Sequence, residues 1–414
     1  MKLIDSNKRM LIKMLNAGIR NIPFTIDCDC NVNFMDLVLE AQKQRVIALI
    51  YRPLLQASNK VRVSEELLKY LRETVLKEAF VLESQYTMFG EVLQKLTHYN
   101  IPIVALKGLV LRDFYPDKWM RYMSDFDLLV RESDMSQIDS ILKKFGYISR
   151  HDDFEESQYE HRILPKLDIH TQLVSPLIEF DESFRFTDEA WHRTEPIVIS
   201  GVEVRKLRPI DNLIFLIMHM ANHALIGGID LRQLCDMVLF VEEYFEKIDW
   251  REFLESVKSM NILDFTTSLF LVCKTLFNLK TPEILSICNA VDDDVITELL
   301  DDMFSSGAYH FSSNERIAAN LLLLYSANKP VDTNQKWFSK FISAVFPKAE
   351  MMGRKYSYAR MYKILLPVAW IHRIIYCIFR RDYKTSEKIA LFKPSTARLS
   401  NDRSNLLKKL GLLR

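Results

Sequence analysis

The chain has 414 residues, 49% of them hydrophobic and 26% charged, with a formal net charge of +1. That is the composition of an ordinary globular protein with room for two or three domains and a sizeable core. The near-neutral balance argues against the overall basic bias of a non-specific nucleic-acid binder. The six cysteines (Cys28, Cys30, Cys235, Cys273, Cys288 and Cys377) show no paired CxxC spacing, and Cys28-Asp29-Cys30 is too tight for a zinc site. Reduced thiols in the cytoplasm are the expectation, and the charged start of the chain shows no secretory pattern.

In chain order, residues 1–100 read mostly as helices, with apolar residues three and four apart over 34–55 and 64–96. Residues 101–106 form a β-branched strand ending at Lys107-Gly108. A helix over 108–115 follows, closed by Pro116-Asp117. A second strand covers 125–130, and Ser133 caps a helix that Gly146 ends. Ile197–Leu207 reads as a hairpin about Ser200-Gly201. From Pro209 the chain turns helical again, over 209–224, 231–245, 253–260, 264–276 and 316–327. Polar stretches at 329–335 and 385–405 read as linkers or mobile ends. These elements divide the chain into a helical region over 1–100, an α/β core over 101–208, a helical domain over 209–328, and a helical extension and tail over 329–414.

The chemistry concentrates in Arg121-Tyr122-Met123-Ser124-Asp125-Phe126-Asp127-Leu128-Leu129-Val130. On a strand, alternate side chains share a face, so Asp125, Asp127 and Leu129 point one way and Phe126, Leu128 and Val130 the other. Two adjacent carboxylates repel unless a cation lies between them, which asks for a hard divalent metal such as Mg²⁺. By the same logic Asp127→Asn would relieve repulsion and slightly raise thermal stability without metal. In Leu167-Asp168-Ile169-His170 the alternation repeats, setting Asp168 and His170 on one face. Asp168 beside the first pair would complete a three-carboxylate site able to hold two ions, which in two-metal chemistry sit ~3.5–4 Å apart. The polar residues ahead of Asp125 and the apolar run after it separate this pattern from haloacid dehalogenase-type phosphatases and DxD glycosyltransferases. Those place the motif at the carboxyl end of a hydrophobic strand.

Lys107-Gly108, Arg121, Asp125-Phe126-Asp127-Leu128-Leu129-Val130 and Asp168-Ile169-His170 together resemble a bacterial branch of the DNA polymerase β-type nucleotidyltransferase superfamily. The resemblance extends more weakly over about residues 41–379. It implies an α+β fold: a mixed sheet with helices, flanked by helical N- and C-terminal regions. It also implies Mg²⁺-dependent transfer of a nucleoside monophosphate from a nucleoside triphosphate to an acceptor. Asp125, Asp127 and Asp168 would hold the metals and carry catalysis, and Lys107, Gly108, Arg121, His170 and Arg232 would face the nucleotide. The superfamily's usual Gly-Ser is replaced here by Lys107-Gly108, so Lys107 and the amides opening the next helix would receive the triphosphate instead. The acceptor is open: a small molecule or a macromolecule.

A non-catalytic nucleotide sensor or interaction module on the same fold is the alternative function. A toxin–antitoxin partner leaves no trace in the residues. His219 and His223, four apart, read as core or rim residues, because Met220 excludes the zinc-protease pattern. Arg232 and Asp236 read as a surface pair, with Arg232 at the nucleotide as the functional version. Arg121 reads as a phosphate contact, or as a partner of Asp117 or Asp125. Residues 364–379 are too short to span a bilayer, which takes about 20 apolar residues. They read as a buried C-terminal helix, with a peripheral amphipathic contact as the other reading, given Arg373, Arg380, Arg381 and Lys384.

Overall fold

The computed structural model describes residues 5–26, 32–151, 157–174, 183–286, 293–307, 313–326, 346–349, 356–379 and 393–413. Cys28, Cys30, Cys288, Arg380, Arg381, Lys384 and the stretch 329–335 lie outside the described residues.

Four helices open the chain: α1 (Ser6–Arg20), α2 (Phe34–Lys43), α3 (Ile47–Ser58) and the 34-residue α4 (Glu65–His98). Side-chain oxygens of Asp5, Asn33 and Ser64 accept first-turn amides of α1, α2 and α4, so each of these starts is written in the sequence. The α/β core follows as β1 (Val104–Ala105), α5 (Gly108–Leu111), β2 (Phe126–Leu129), α6 (Met135–Lys144), β3 (Ile148–His151), β4 (Ser157–Glu160), β5 (Leu167–His170), α7 (Ser183–His192), β6 (Glu195–Ile199) and β7 (Val202–Lys206).

These strands form one mixed sheet in the order β3-β4-β5-β2-β1-β7-β6. β2 runs parallel to β5 and antiparallel to β1, and β1 runs parallel to β7. β6 and β7 make the expected hairpin, turned by Ser200 and Gly201 at φ 48° and 79°. The β3–β4 hairpin was not expected. Ser149, Arg150, Ser157, Gln158 and Glu160 make it too polar to stand out, and it is recruited by pairing with β5.

Two further expectations change. The strand over 101–106 shrinks to Val104–Ala105. The helix over 108–115 becomes the single turn α5 followed by a 3₁₀ turn at Arg112–Phe114.

The C-terminal half is helical: α8 (Pro209–Ile226), α9 (Leu231–Tyr244), α10 (Trp250–Ser259), α11 (Leu263–Phe277), α12 (Glu283–Ser286), α13 (Asp293–Ser306) and α14 (Asn314–Ser326), then helices Ser357–Met361, Leu366–Phe379 and Pro394–Lys409. The last overturns the linker reading over 394–405, while 385–392 lie outside the described residues. Thr396, Ser400, Leu406 and Leu407 are buried, and Arg403 Nη1 pairs with Asp302 Oδ1 at 2.6 Å, fixing the helix to α13 and α14.

Two apolar cores organise the molecule. One lies on the Phe126, Leu128, Leu167 and Ile169 face of the sheet, under Phe89, Val92, Leu93 and Leu96 of α4 and Ile138, Ile141 and Leu142 of α6. Phe89 meets Phe126 edge-on at 5.0 Å, and each such fully buried side chain contributes about 1.5–3 kcal/mol. The other core joins α1–α3 to α8–α14, so the N-terminal helices pack with the C-terminal ones, and Leu129 on the opposite face of β2 belongs to it. That face carries the functional residues.

Candidate active site

β2 and β5 set the site. Their parallel register pairs Asp127 with Asp168, Phe126 with Leu167 and Leu129 with His170. Register partners in adjacent strands project to the same side. The apolar positions thus go under α4 and α6 while the carboxylates turn toward α8 and α9. Carboxylate oxygens of Asp125, Asp127 and Asp168 all lie within 4.8 Å of one another. Asp127 and Asp168 are buried, and Asp125 is half-buried.

Nearby cations offset this charge. Lys107 Nζ lies 2.7 Å from Asp127 Oδ1, and His170 Nε2 lies 2.9 Å from the same oxygen. An ionised carboxylate only accepts, so the imidazole donates from Nε2. Burial alone would raise the pKa of Asp127. The Lys107 charge and the hydrogen bonds from His170 and Lys107 outweigh it and hold the carboxyl well below the usual carboxylate range. Lys166 Nζ approaches Asp168 Oδ1 at 3.3 Å.

Lys107 reaches its position through a backbone that L side chains rarely adopt, φ 45° and ψ −120°. Gly108 cannot carry a side chain there, because a Cβ would lie 2.5 Å from Met123 Sδ and would also strike Arg121. Its crowding partners are thus protein side chains. α5 is four residues long, and Gly108 is buried under Arg121 and Met123, not part of the cavity wall.

A cavity of about 400 Å³ opens over the triad. The sheet side contributes Lys107, Ser124, Asp125, Asp127, Gln158, Lys166 and Asp168. α8 contributes Leu216, His219, Met220, Asn222, His223 and Ile226. The start of α9, with the residue before it, contributes Asp230, Arg232, Gln233 and Asp236, and Arg45, Arg121 and Tyr122 complete the wall.

Arg121 binds neither Asp117 nor Asp125. It makes a fork with Asp236 (Nε to Oδ1 3.1 Å, Nη2 to Oδ2 2.7 Å), and Tyr115 donates to the same carboxylate at 2.7 Å. Asp117 pairs with Arg52 instead. Arg232 lies 3.2 Å from Asp236 and 3.4 Å from Asp230, so the expected pair exists, but in the cavity wall rather than on the surface. His219 and His223 meet through their Nε2 atoms at 3.0 Å. Burial first, then the charge of Lys107 and the neighbouring His223, push the pKa of His219 well below its ordinary value.

Sequence reading passed over Lys166, Gln158 and Arg45, and it placed Asp236 only in a surface pair with Arg232. The first had a signal: alternation carried one step back from Asp168 sets Lys166, Asp168 and His170 on one face. Gln158 reaches the site only as the register partner of Asp168 on β4. Arg45, whose guanidinium lies 4.5 Å from the Tyr122 ring, is 80 residues from Asp125 in sequence and had no signal.

Comparison with curated proteins and with solved structures returned no match. The model of a protein family described as an uncharacterised nucleotidyltransferase matches residues 31–278, which include α2–α11, the whole sheet and every residue of the cavity. As the match covers more than half of the chain, the protein belongs to this nucleotidyltransferase family.

Proposed function

We propose that the protein transfers a nucleoside monophosphate from a nucleoside triphosphate to an acceptor and releases pyrophosphate. The observation that carries this reading is the convergence of Asp125, Asp127 and Asp168 on the floor of a cation-lined cavity, in a chain of a nucleotidyltransferase family. The arrangement of Asp127 on β2 with Asp125 just before the strand, and of Asp168 on the parallel neighbour β5, supports a polymerase β-type core.

The donor set fits Mg²⁺: three clustered carboxylates supply hard oxygen atoms, beside a cavity with room for phosphate and water. Asp125 and Asp127 would hold two ions and Asp168 the one on the acceptor side. When bound, the metal would stabilise the attacking oxygen and the charge gathering on the phosphates.

The chain's own residues supply the rest. Lys107 and His170 keep Asp127 ionised and fixed in orientation. Asp168 would take the acceptor's proton as the acceptor oxygen bonds to the α-phosphorus. The bond from that phosphorus to the bridging oxygen breaks, and pyrophosphate leaves. Lys166, Arg45 and Arg232, all in the cavity wall, would steady the triphosphate.

The experiment is pyrophosphate release from each of the four nucleoside triphosphates with MgCl₂ and fractionated cell lysate, wild type against Asp168→Asn. Release that needs Asp168 supports the reading. One observation favours a nucleotide sensor instead: the Lys107 and His170 contacts already offset the charge of Asp127 without a metal. Nucleotide binding with no pyrophosphate from any fraction would decide for the sensor.

A further inference from the structure

We infer that the segment 356–379 docks the protein onto the surface of an anionic phospholipid bilayer. The expectation of a buried C-terminal helix over 364–379 fails over 364–372, the part whose side chains are described. Ile364 is 87% exposed, Met361 73%, Tyr362 and Ile371 60% and Val368 54%. Ile364, Val368 and Ile371 recur at intervals of four and three through the 3₁₀ turn Lys363–Leu365 and the helix Leu366–Phe379, so they share one face. On its other side the segment packs on itself. Tyr356, Ala359 and Ala369 are buried together with Leu366 and Trp370 packed against them, and Trp370 Nε1 donates to the Pro347 carbonyl at 2.8 Å. The outward apolar face is thus backed by a local cluster, and it asks for a cover.

Charge identifies the cover. Residues 351–381 hold seven Lys and Arg and no Asp or Glu, in a chain whose net charge is only +1. Arg360 and Lys363 are exposed within the apolar stretch. Exposed aliphatic side chains beside Tyr362, Arg360 and Lys363 match the boundary between acyl chains and acidic headgroups. A nucleic acid would meet the cations but leave the Ile364–Ile371 face in water. The 14-residue helix is also short of the about 20 residues a bilayer span needs, and no described helix is long and apolar enough to cross a membrane. The segment would lie on the surface. None of its residues lines the cavity, so the inference is independent of the proposed reaction.

The test is sedimentation of the full-length protein with phosphatidylcholine vesicles, alone or mixed with phosphatidylglycerol, at low and high salt. Partitioning onto the mixed vesicles should exceed that onto phosphatidylcholine by about tenfold or more, and high salt should remove most of the difference. The double variant Ile364→Asp/Ile371→Asp should fail to bind. Both positions are exposed, so its thermal melting should match the wild type, which confirms that the variant is folded. Equal partitioning onto both vesicle types would overturn the inference, as would undiminished binding of the folded variant. So would absence of vesicle binding together with self-association that the two aspartates abolish, which would make a second copy of the chain the cover.

Discussion

Asp127 and Asp168 are register partners on adjacent parallel strands, and that pairing makes the site. The side-chain period of a strand is two, so a slip of one residue between β2 and β5 would set Leu167 or Ile169 beside Asp127 and turn Asp168 into the apolar core. The register is held by Phe126, Leu128, Leu167 and Ile169, all nearly inaccessible beneath α4 and α6. Burial on one face thereby fixes the chemistry on the other.

Asp127→Asn should lower the proposed nucleotidyl transfer by about two orders of magnitude or more, by removing a charge from the triad proposed to bind metal. It should also destabilise the metal-free protein by about 1–3 kcal/mol, because Lys107 and His170 would lose their ionised partner. The sequence alone suggested a slight gain from relieved repulsion. Thermal melting in the presence of a chelator checks the sign.

Gly108→Ala should lower stability by about 1–3 kcal/mol through overpacking, since the added carbon meets Met123 and displaces Arg121. The damage is to the scaffold. Nucleotide affinity of the folded fraction should change little, which calorimetry on the purified variant can establish.

Arg121→Lys breaks the fork on Asp236 and replaces it with a single contact at best. A loss of about 1–3 kcal/mol is expected in denaturant titration, with less than about a tenfold change in nucleotide affinity. A larger fall in affinity with unchanged stability would instead make Arg121 a phosphate contact.

His219 gives the stability a pH dependence. Burial lowers its pKa in the folded protein, so below about 6.5 the unfolded chain takes up a proton that the native state refuses. Its contribution is fully present above that value and is lost as pH falls toward the depressed native pKa. The melting temperature should drop between about pH 7 and 5, and His219→Gln should flatten that slope.

Much of this was legible in the residues. Asp125, Asp127 and Asp168 stood out because strand alternation separates carboxylates from core positions within four residues, and caps and apolar spacing located α4, α8, α9 and α11. The C-terminal helix Pro394–Lys409 did not, because Thr396, Ser400 and Arg403 read as polar until α13 and α14 bury them. The fork of Arg121 on Asp236 joins residues 115 apart, which no local spacing predicts. Lys107 was read as a phosphate contact because its strained backbone, which turns it toward Asp127, leaves no mark in the sequence.

The most direct measurement of the central claim follows the phosphorus. Wild-type protein is incubated with MgCl₂, an acceptor-containing lysate fraction and a nucleoside triphosphate labelled either at the α- or the γ-phosphate. Label from the α-position should pass to the acceptor and label from the γ-position should leave as pyrophosphate, with both signals about a hundredfold weaker in Asp168→Asn. Transfer of γ-label to the acceptor, or α-transfer that survives Asp168→Asn unchanged, would contradict the account.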